Sequence, residues 1–182
     1  MIRDYGDCQI DEHEINDCKN IHNTRSTKNT CHYNYNCLGY ATNVYLWLCP
    51  YDNEQECEFY FDYPILNGVT YDEALLVTKE WILEYFGDSI REVNGVEDLY
   101  DDEYLIAYKC GYDGKDYLID GFEFYEDDEI GYDFHAMKRL PNGQWWHKCG
   151  ARRCVRVSEK VALADVWFDK YFSKTVFFAK KI

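Results

Sequence analysis

Two segments in the first half of the chain have the apolar spacing of α-helices. In the sequence LGYATNVYLWLC, residues 38–49, apolar side chains recur at helical spacing, and Pro50 is expected to stop the helix. Cys37 comes directly before this segment, so the pattern predicts that Cys37 opens the helix. The small residues Gly39 and Ala41 would let its first turn pack closely against a sheet.

A second helix is predicted over residues 71–86. Thr70 is a good N-cap, Glu73 completes a capping box, and Gly87 suits the end of the helix. The apolar residues of its expected buried face are Ala74, Leu75, Val77, Trp81, Ile82 and Tyr85. The sequence therefore defines both ends of this helix.

The second half of the chain changes to short β-rich runs separated by Gly, Asp and Asn. The predicted elements are strands at 103–109, 117–124, 131–140, 144–148, 152–157 and 174–180, and a helix at 161–171. A further strand is possible near residues 58–61. Residues 1–30 show no periodicity, which predicts an irregular arm before a single domain over 31–182. Helices followed by an antiparallel sheet indicate an α+β fold.

The segment Pro141-Asn142-Gly143 predicts a β-hairpin whose turn type decides where two histidines lie. A three-residue loop, favoured by Pro141, places residue 137 opposite residue 147. His135 and His147 then share one face of the sheet as diagonal neighbours. A two-residue Asn-Gly turn would shift the register and send His147 to the other face. The three-residue loop is the favoured prediction.

The charge balance limits the kinds of partner this protein can have. The chain has 34 acidic and 19 basic residues, a formal net charge of −15, which repels nucleic acid and anionic membranes. A neutral or cationic substrate, or a basic protein or peptide, fits this field better. The N-terminal sequence MIRDYGDCQIDEHE lacks the features of a signal peptide, and no apolar run is long enough to span a membrane. A cytoplasmic protein is the expectation.

Nine cysteines are present, and because the number is odd at least one cannot pair within the chain. Reduced thiols in a cytosolic setting are expected rather than a secreted disulfide framework. Cysteines and histidines of the N-terminal region could be assembled into a zinc site on ligand type alone, but no CxxC pair is present. We therefore expect no metal and no cofactor.

Cys37 is the best candidate for a nucleophile because of its predicted position at the start of a helix. Backbone N–H groups and the helix dipole at that end favour a thiolate and can hold a developing oxyanion. The simpler alternative is an inert buried thiol.

The hairpin supplies the expected partner of this thiol. His135 is predicted to act as general base, and His147 to hold its ring in the useful tautomer. Asp133, two residues before His135, could raise the pKa of His135 or orient it instead. His147 could alternatively be a surface or stacking residue beside Trp145 and Trp146.

At these residues the chain resembles the papain-like cysteine peptidase superfamily, and more narrowly its NlpC/P60-type branch. The resemblance rests on NCLGYA around Cys37, DFHAMKR around His135 and GQWWHKCG around His147, an NC-x-x-YA, D-x-H and G-x-W-x-HK-x-G pattern also found in uncharacterised bacterial proteins. It implies a helix bearing the nucleophile packed on an antiparallel sheet. It also implies peptidase or amidase chemistry, with deamidation and transamidation open.

Three further roles complete the hypothesis. The backbone N–H of Cys37 and the side chain of Asn36 are the candidates for an oxyanion hole. Trp145 and Trp146 offer flat apolar surface for a substrate, although packing is the commoner role of such residues. The alternative functions are an acidic protein-interaction module on a catalytically retired scaffold, a cell-wall peptide amidase, and a zinc-stabilised binding domain.

Overall fold

The computed structural model describes residues 35–44, 46–48, 50, 70–112, 132–149 and 154–182. The arm predicted over 1–30, with its possible zinc ligands, lies outside this part of the chain, as do the strand 117–124 and the possible strand near 58–61.

A six-stranded antiparallel sheet forms the centre of the molecule. Its strands are β1 Ile90–Val93, β2 Glu103–Tyr112, β3 Tyr132–Arg139, β4 Trp145–Lys148, β5 Cys154–Val157 and β6 Val176–Lys181, in the order β1-β6-β2-β3-β4-β5. The described helices are α1 Cys37–Ala41, α2 Tyr71–Phe86 and α3 Glu159–Ala162, with short 3₁₀ turns at Gly87–Ser89 and Val96–Asp98. The predicted α+β class is confirmed.

Helix α2 has the bounds that its capping signals predict. The Thr70 hydroxyl accepts a hydrogen bond from the Glu73 N–H, and the Glu73 carboxylate accepts one from the Thr70 N–H. Gly87 follows the helix at a φ of 50°. The helix buries Ala74, Leu75, Thr78 and Ile82, while Val77 and Trp81 are half-buried and Tyr85 is exposed. The predicted apolar face was therefore wrong at Tyr85, which stacks on Trp81 at its surface.

Helix α1 is shorter than its apolar pattern predicts. It ends at Ala41, where the Thr42 hydroxyl donates to the Leu38 carbonyl, and Asn43 then takes a left-handed φ of 58°. The predicted continuation to residue 49 is wrong because asparagine accepts this conformation readily and the chain turns back. The returning backbone passes so close to Gly39 that a Cβ there would collide with it.

The hairpin has the register of the three-residue loop. Met137 pairs with His147, the Leu140 N–H donates to the Gln144 carbonyl over 2.8 Å, and Gly143 has a φ of 83°. The two-residue turn is therefore wrong. Proline at the first loop position and glycine at the left-handed position together account for this choice.

Two other elements differ from their predictions. The helix predicted over 161–171 ends at Ala162, and residues 163–175 form an irregular segment, which we call the covering loop. Strand β1 was not predicted, because IREV is short and has only two apolar residues.

The sheet has two buried faces of different character. On the helical face, α1 and α2 cover apolar side chains of the central strands, chiefly Tyr104, Ile106, Tyr108, Ala136 and Phe178. On the opposite face, which we call the histidine face, the covering loop packs over Leu105, Ala107, Met137, Trp145 and Ala179. Within the described residues, no helix is both long and apolar enough to cross a bilayer.

The cysteines of the described segments do not share one redox state. Cys37, Cys110 and Cys149 carry thiols, whereas Cys154 is disulfide-bonded. The expectation of reduced thiols throughout is therefore wrong at Cys154.

Candidate active site

Asn36 sets the geometry of the turn that carries Cys37. Its side-chain oxygen accepts a hydrogen bond from the Gly39 N–H at 3.0 Å, which makes it the N-cap of α1. Its amide nitrogen donates to the Leu48 carbonyl at 2.6 Å. These contacts give Asn36 a structural role: it caps α1 and holds the loop that follows the helix. Its amide does not point to an oxyanion, which was the predicted role.

The thiol of Cys37 lies against the backbone on both sides of His135. Its sulfur donates to the Phe134 carbonyl at 3.7 Å and accepts a hydrogen bond from the Ala136 N–H. The last β3–β4 pair joins Met137 to His147, so these groups of Phe134 and Ala136 lie beyond the paired part of the strand edge. The sulfur therefore contacts β3 next to the point where its pairing with β4 ends.

His135 and His147 form a directly hydrogen-bonded pair on the histidine face. The distance from His135 Nε2 to His147 Nδ1 is 2.9 Å, and the ring planes are inclined at 76°. The diagonal relation follows from the hairpin register, which places the two side chains on one face of neighbouring strands. The structure therefore brings together the two histidines that the sequence singled out.

Burial keeps the thiol and both imidazoles in their neutral forms. Cys37, His135 and His147 are 4%, 2% and 5% exposed. Burial raises the pKa of Cys37, and the charge of Asp133 raises it further against the opposing Ala136 hydrogen bond. Burial lowers the pKa of His135 well below 6.5, with added effects of His147 and Lys170, and it lowers the pKa of His147 to about 4.

Asp133 acts on His135 through an intermediate side chain. Its carboxylate accepts a hydrogen bond from the Tyr171 hydroxyl at 2.7 Å and forms an ion pair with Lys170 at 3.0 Å. The Tyr171 ring in turn stacks on His135 with 5.1 Å between centroids. Asp133 therefore does not make the direct contact with the His135 ring that was predicted for an orienting residue. It instead positions the Tyr171 ring, on which the His135 imidazole stacks.

The covering loop is fixed across the sheet at both of its ends. The buried Lys109 ammonium donates to the carbonyls of Asp165 and Ser173 at 2.7 and 2.6 Å. Between these anchors the loop passes over Gly111, where a Cβ would collide with its backbone. The ends of the loop are therefore held in place by both hydrogen bonds and packing.

The tip of this loop is strained and covers the histidine pair. Phe168 and Asp169 each have a φ of 54°, a conformation that is costly for residues other than glycine. The Phe168 ring stacks on His147 at 5.0 Å and meets His135 edge-on at 5.7 Å, although 47% of the residue is exposed. Phe168 thus separates the histidines from solvent.

Two buried lysines attach the Cys37 segment to the hairpin. Lys138 Nζ donates to Asn43 Oδ1 at 2.8 Å, and Lys148 Nζ donates to the Tyr35 carbonyl. Each ammonium also lies over an aromatic ring, that of Tyr40 at 4.0 Å for Lys138 and that of Tyr35 at 4.6 Å for Lys148. Because residues 35 and 43 flank α1, the two lysines fix both ends of the segment.

The two tryptophans predicted to meet substrate are buried instead. Trp145 is 2% exposed in the core of the histidine face, and Trp146 is 5% exposed between Tyr35, Tyr40 and Cys154. Neither indole offers open surface to a substrate in this structure, and their substrate-binding role stays a prediction. Their apolar area contributes to packing, the commoner use of aromatic residues in a hairpin.

Cys149 adds a sulfur to the histidine pair. Its Sγ lies 3.6 Å from His147 Nδ1, and the ligand atoms of His135, His147 and Cys149 all lie within 4.8 Å of one another. Cys149 is half-buried, unlike the two imidazoles. This group has two nitrogen donors and one sulfur donor.

Sequence reasoning missed five residues of this region: Lys138, Lys148, Cys149, Phe168 and Tyr171. The lysines could have been found, because the strand period places them on the face that packs against α1 and α2, where a charged side chain requires an explanation. Phe168 and Tyr171 were assigned to a helix, and a loop that crosses the sheet leaves no periodic signal.

The sequence matches no family model, and no similar curated protein or solved structure was found.

Proposed function

We propose that this protein is a cysteine hydrolase or acyl-transfer enzyme that acts on peptide or amide bonds from a papain-like scaffold of the NlpC/P60 type. Cys37 is the nucleophile, His135 the general base and His147 the residue that orients the base. The observation that carries the proposal is the position of the Cys37 sulfur against backbone groups of Phe134 and Ala136, the residues on either side of His135, whose ring is held by His147.

The histidine contact suggests which nitrogen acts as the base. If His135 Nε2 donates its proton to His147 Nδ1, then His135 Nδ1 has a free lone pair and can accept the thiol proton. His147 thus fixes the tautomer, as the third group does in other triads. In this arrangement the base needs no charge before the reaction begins.

The reaction has two steps that share one acyl-enzyme. The Cys37 proton passes to His135 Nδ1 as the sulfur attacks the carbonyl carbon, and the proton then goes to the leaving nitrogen as the C–N bond breaks. Water or an amine next gives its proton to His135 and attacks the thioester, which restores the thiol. Water gives hydrolysis or deamidation, and an amine gives transamidation.

The neutral, buried state of these groups sets two requirements for catalysis. The S–H bond must turn from the Phe134 carbonyl, which it contacts in this structure, toward His135. The substrate must also displace Phe168, which covers the histidines. The proton transfer is then a general-base step rather than the use of a preformed ion pair, because burial disfavours both charged forms.

The charge of the chain favours a protein or peptide substrate that is neutral or basic. A net charge of −15 raises the local concentration of cationic partners and repels polyanions. This term acts on encounter and specificity, whereas the chemistry depends on Cys37 and the histidines.

Labelling with a small chloroacetamide probe tests the proposal. We expect Cys37 to be alkylated faster than the more accessible Cys149, and His135→Gln to slow Cys37 labelling by about 100-fold or more, as for loss of a general base. Peptide mapping by mass spectrometry measures both thiols in one sample. Cys110, a buried thiol on the helical face, is the internal control for opening of the fold.

If the labelling rates follow the solvent exposure of the thiols alone, with Cys149 labelled faster than Cys37, the proposed enzymatic activity is refuted. The same conclusion would follow if His135→Gln left the Cys37 rate unchanged in a variant whose circular dichroism spectrum and melting temperature match the wild type.

A second candidate is an acidic interaction module on a catalytically retired scaffold, favoured by the burial of Cys37 and both histidines. It predicts that a basic protein partner binds equally well to wild type and to Cys37→Ser, and that added salt weakens the complex. Selective labelling of Cys37 separates the two candidates, because a retired scaffold needs no reactive thiol.

A further inference from the structure

We propose that His135, His147 and Cys149 form a binding site for zinc or a similar divalent transition-metal ion. The bound ion prevents the Cys37 thiol from reacting, an effect that we call silencing. The metal site itself depends only on the geometry of the three side chains. The silencing rests on the proposed function, since it requires His135 to be the base.

Two of the three donor separations are close to those of a tetrahedral zinc centre, and the third, between His135 and Cys149, is at most 4.8 Å. Zn–N bonds of about 2.05 Å and Zn–S bonds of about 2.3 Å separate two nitrogens by about 3.3 Å and a nitrogen from a sulfur by about 3.6 Å. The His147–Cys149 separation of 3.6 Å already fits. The His135–His147 separation of 2.9 Å must open by roughly 0.4 Å.

Two of the donor atoms converge on the third, His147 Nδ1, in a way that hydrogen bonding cannot fully satisfy. Both His135 Nε2 and Cys149 Sγ approach this nitrogen, which has either one lone pair or one proton and so can serve only one of them well. A cation between the three atoms would accept a lone pair from each of them.

The ligand types select the class of metal. Two imidazole nitrogens and one thiolate suit zinc and related borderline ions, whereas magnesium and calcium prefer oxygen ligands. Cys149 would lose its proton to solvent when the metal binds. Three protein ligands leave a fourth position that water can fill.

Metal binding would remove the base from the thiol chemistry. An ion on His135 Nε2 uses the lone pair of that nitrogen, so the single proton of the neutral ring must lie on Nδ1. The proposed base is Nδ1, and once protonated it cannot accept a proton from Cys37. The metal therefore inhibits without having to contact Cys37.

Equilibrium dialysis of the full chain against zinc, followed by metal analysis, tests the site. We expect Cys149→Ser to bind one equivalent less than the wild type, and the matched controls Cys110→Ala and Cys37→Ser to bind as much as the wild type. Any metal held elsewhere on the chain is common to all four proteins, so it does not affect the difference in zinc content between them. Cobalt is a second probe, because a thiolate–cobalt charge-transfer band should be present in the wild type and absent from Cys149→Ser.

Equal zinc content in wild type and Cys149→Ser would overturn the metal site. The silencing is tested separately by the labelling rate of Cys37, which zinc should lower at least tenfold in the wild type and leave unchanged in Cys149→Ser. If metal binds but Cys37 is never selectively labelled, the proposed enzyme fails and the metal site stands. If labelling is selective but no metal binds, the metal site fails and the proposed enzyme stands.

Discussion

The two faces of the sheet are both buried but are built from different chemistry. On the helical face, α1 and α2 pack on aliphatic and aromatic side chains. The Thr78 hydroxyl oxygen there lies 3.5 Å from the sulfur of the buried Cys110. The histidine face buries His135, His147 and the Lys109 ammonium under a loop with a strained tip. The helical face also buries ammonium groups, those of Lys138 and Lys148, so the pair of buried neutral imidazoles is what sets the histidine face apart.

Two buried thiols, those of Cys110 and Cys37, also differ in their surroundings. Burial raises the pKa of Cys110 to about 12, and its surroundings on the helical face are a hydroxyl and a phenol. Burial also raises the pKa of Cys37, but this thiol contacts the backbone of Phe134 and Ala136, which flank a histidine whose ring is held by a second one. Burial alone therefore does not distinguish a structural thiol from a candidate nucleophile, whereas the neighbouring groups do.

The largest expected effect on stability comes from the helical face. Ile82 is fully buried on the inner side of α2. Ile82→Ala should therefore lower the free energy of unfolding by about 2–5 kcal/mol. Denaturant unfolding measures this change. The preference of the probe for Cys37 over Cys149 should remain in the folded variant, and its loss would mean that the packing of α2 also supports the position of Cys37.

Acid should weaken the histidine face selectively. The pKa of His147 falls from 6.5 unfolded to about 4 folded, because burial disfavours the imidazolium. Between these values the unfolded chain binds a proton that the folded chain excludes, so stability falls as the pH is lowered from 6.5 to 4. Each tenfold change in proton affinity corresponds to about 1.4 kcal/mol. The titration of His147 should therefore lower the free energy of unfolding by on the order of 3 kcal/mol between pH 6.5 and pH 4.

Denaturant unfolding at several pH values, with a chelator present, checks this expectation. His147→Gln is the control and should flatten the dependence over this range, although the lowered pKa of His135 adds a change of the same sign. A wild-type stability that stays constant from pH 6.5 to 4 would contradict the buried, neutral state of the pair.

The smallest effect should come from the tip of the covering loop. Phe168→Gly removes the ring that covers the histidines and should raise the labelling rate of Cys37 by about tenfold, because reaction through a minor open state scales with its population. Asp169→Gly is the matched control, since it relaxes the same left-handed backbone and leaves the ring in place. Equal rates in the two variants would show that Phe168 does not limit access.

The elements predicted well were those with local signals. Helix α2 has a capping box and a terminal glycine, and the hairpin has proline and glycine at the positions that its loop requires. Helix α1 was overextended because the apolar spacing continues past Ala41 while Asn43 turns the chain. The covering loop was taken for a helix because packing across Gly111 and the bonds to Lys109 have no local pattern.

The candidate site divides in the same way. The choice of Cys37, His135 and His147 came from the sequence, since turn type fixes the hairpin register and the register fixes which side chains share a face. The link from Asp133 through Tyr171, the lysine attachments of α1 and the approach of Cys149 came from contacts between distant segments.

The sequence by itself determined the α+β class, the bounds of α2 and the diagonal placement of the two histidines. Each of these follows from interactions between residues close together in the chain. Only the tertiary structure decided that the Cys37 sulfur lies against the backbone of β3, that Phe168 covers the imidazoles and that both tryptophans are buried. The physical reason is that burial and long-range contacts depend on how whole elements pack, and periodicity within one segment does not encode that packing.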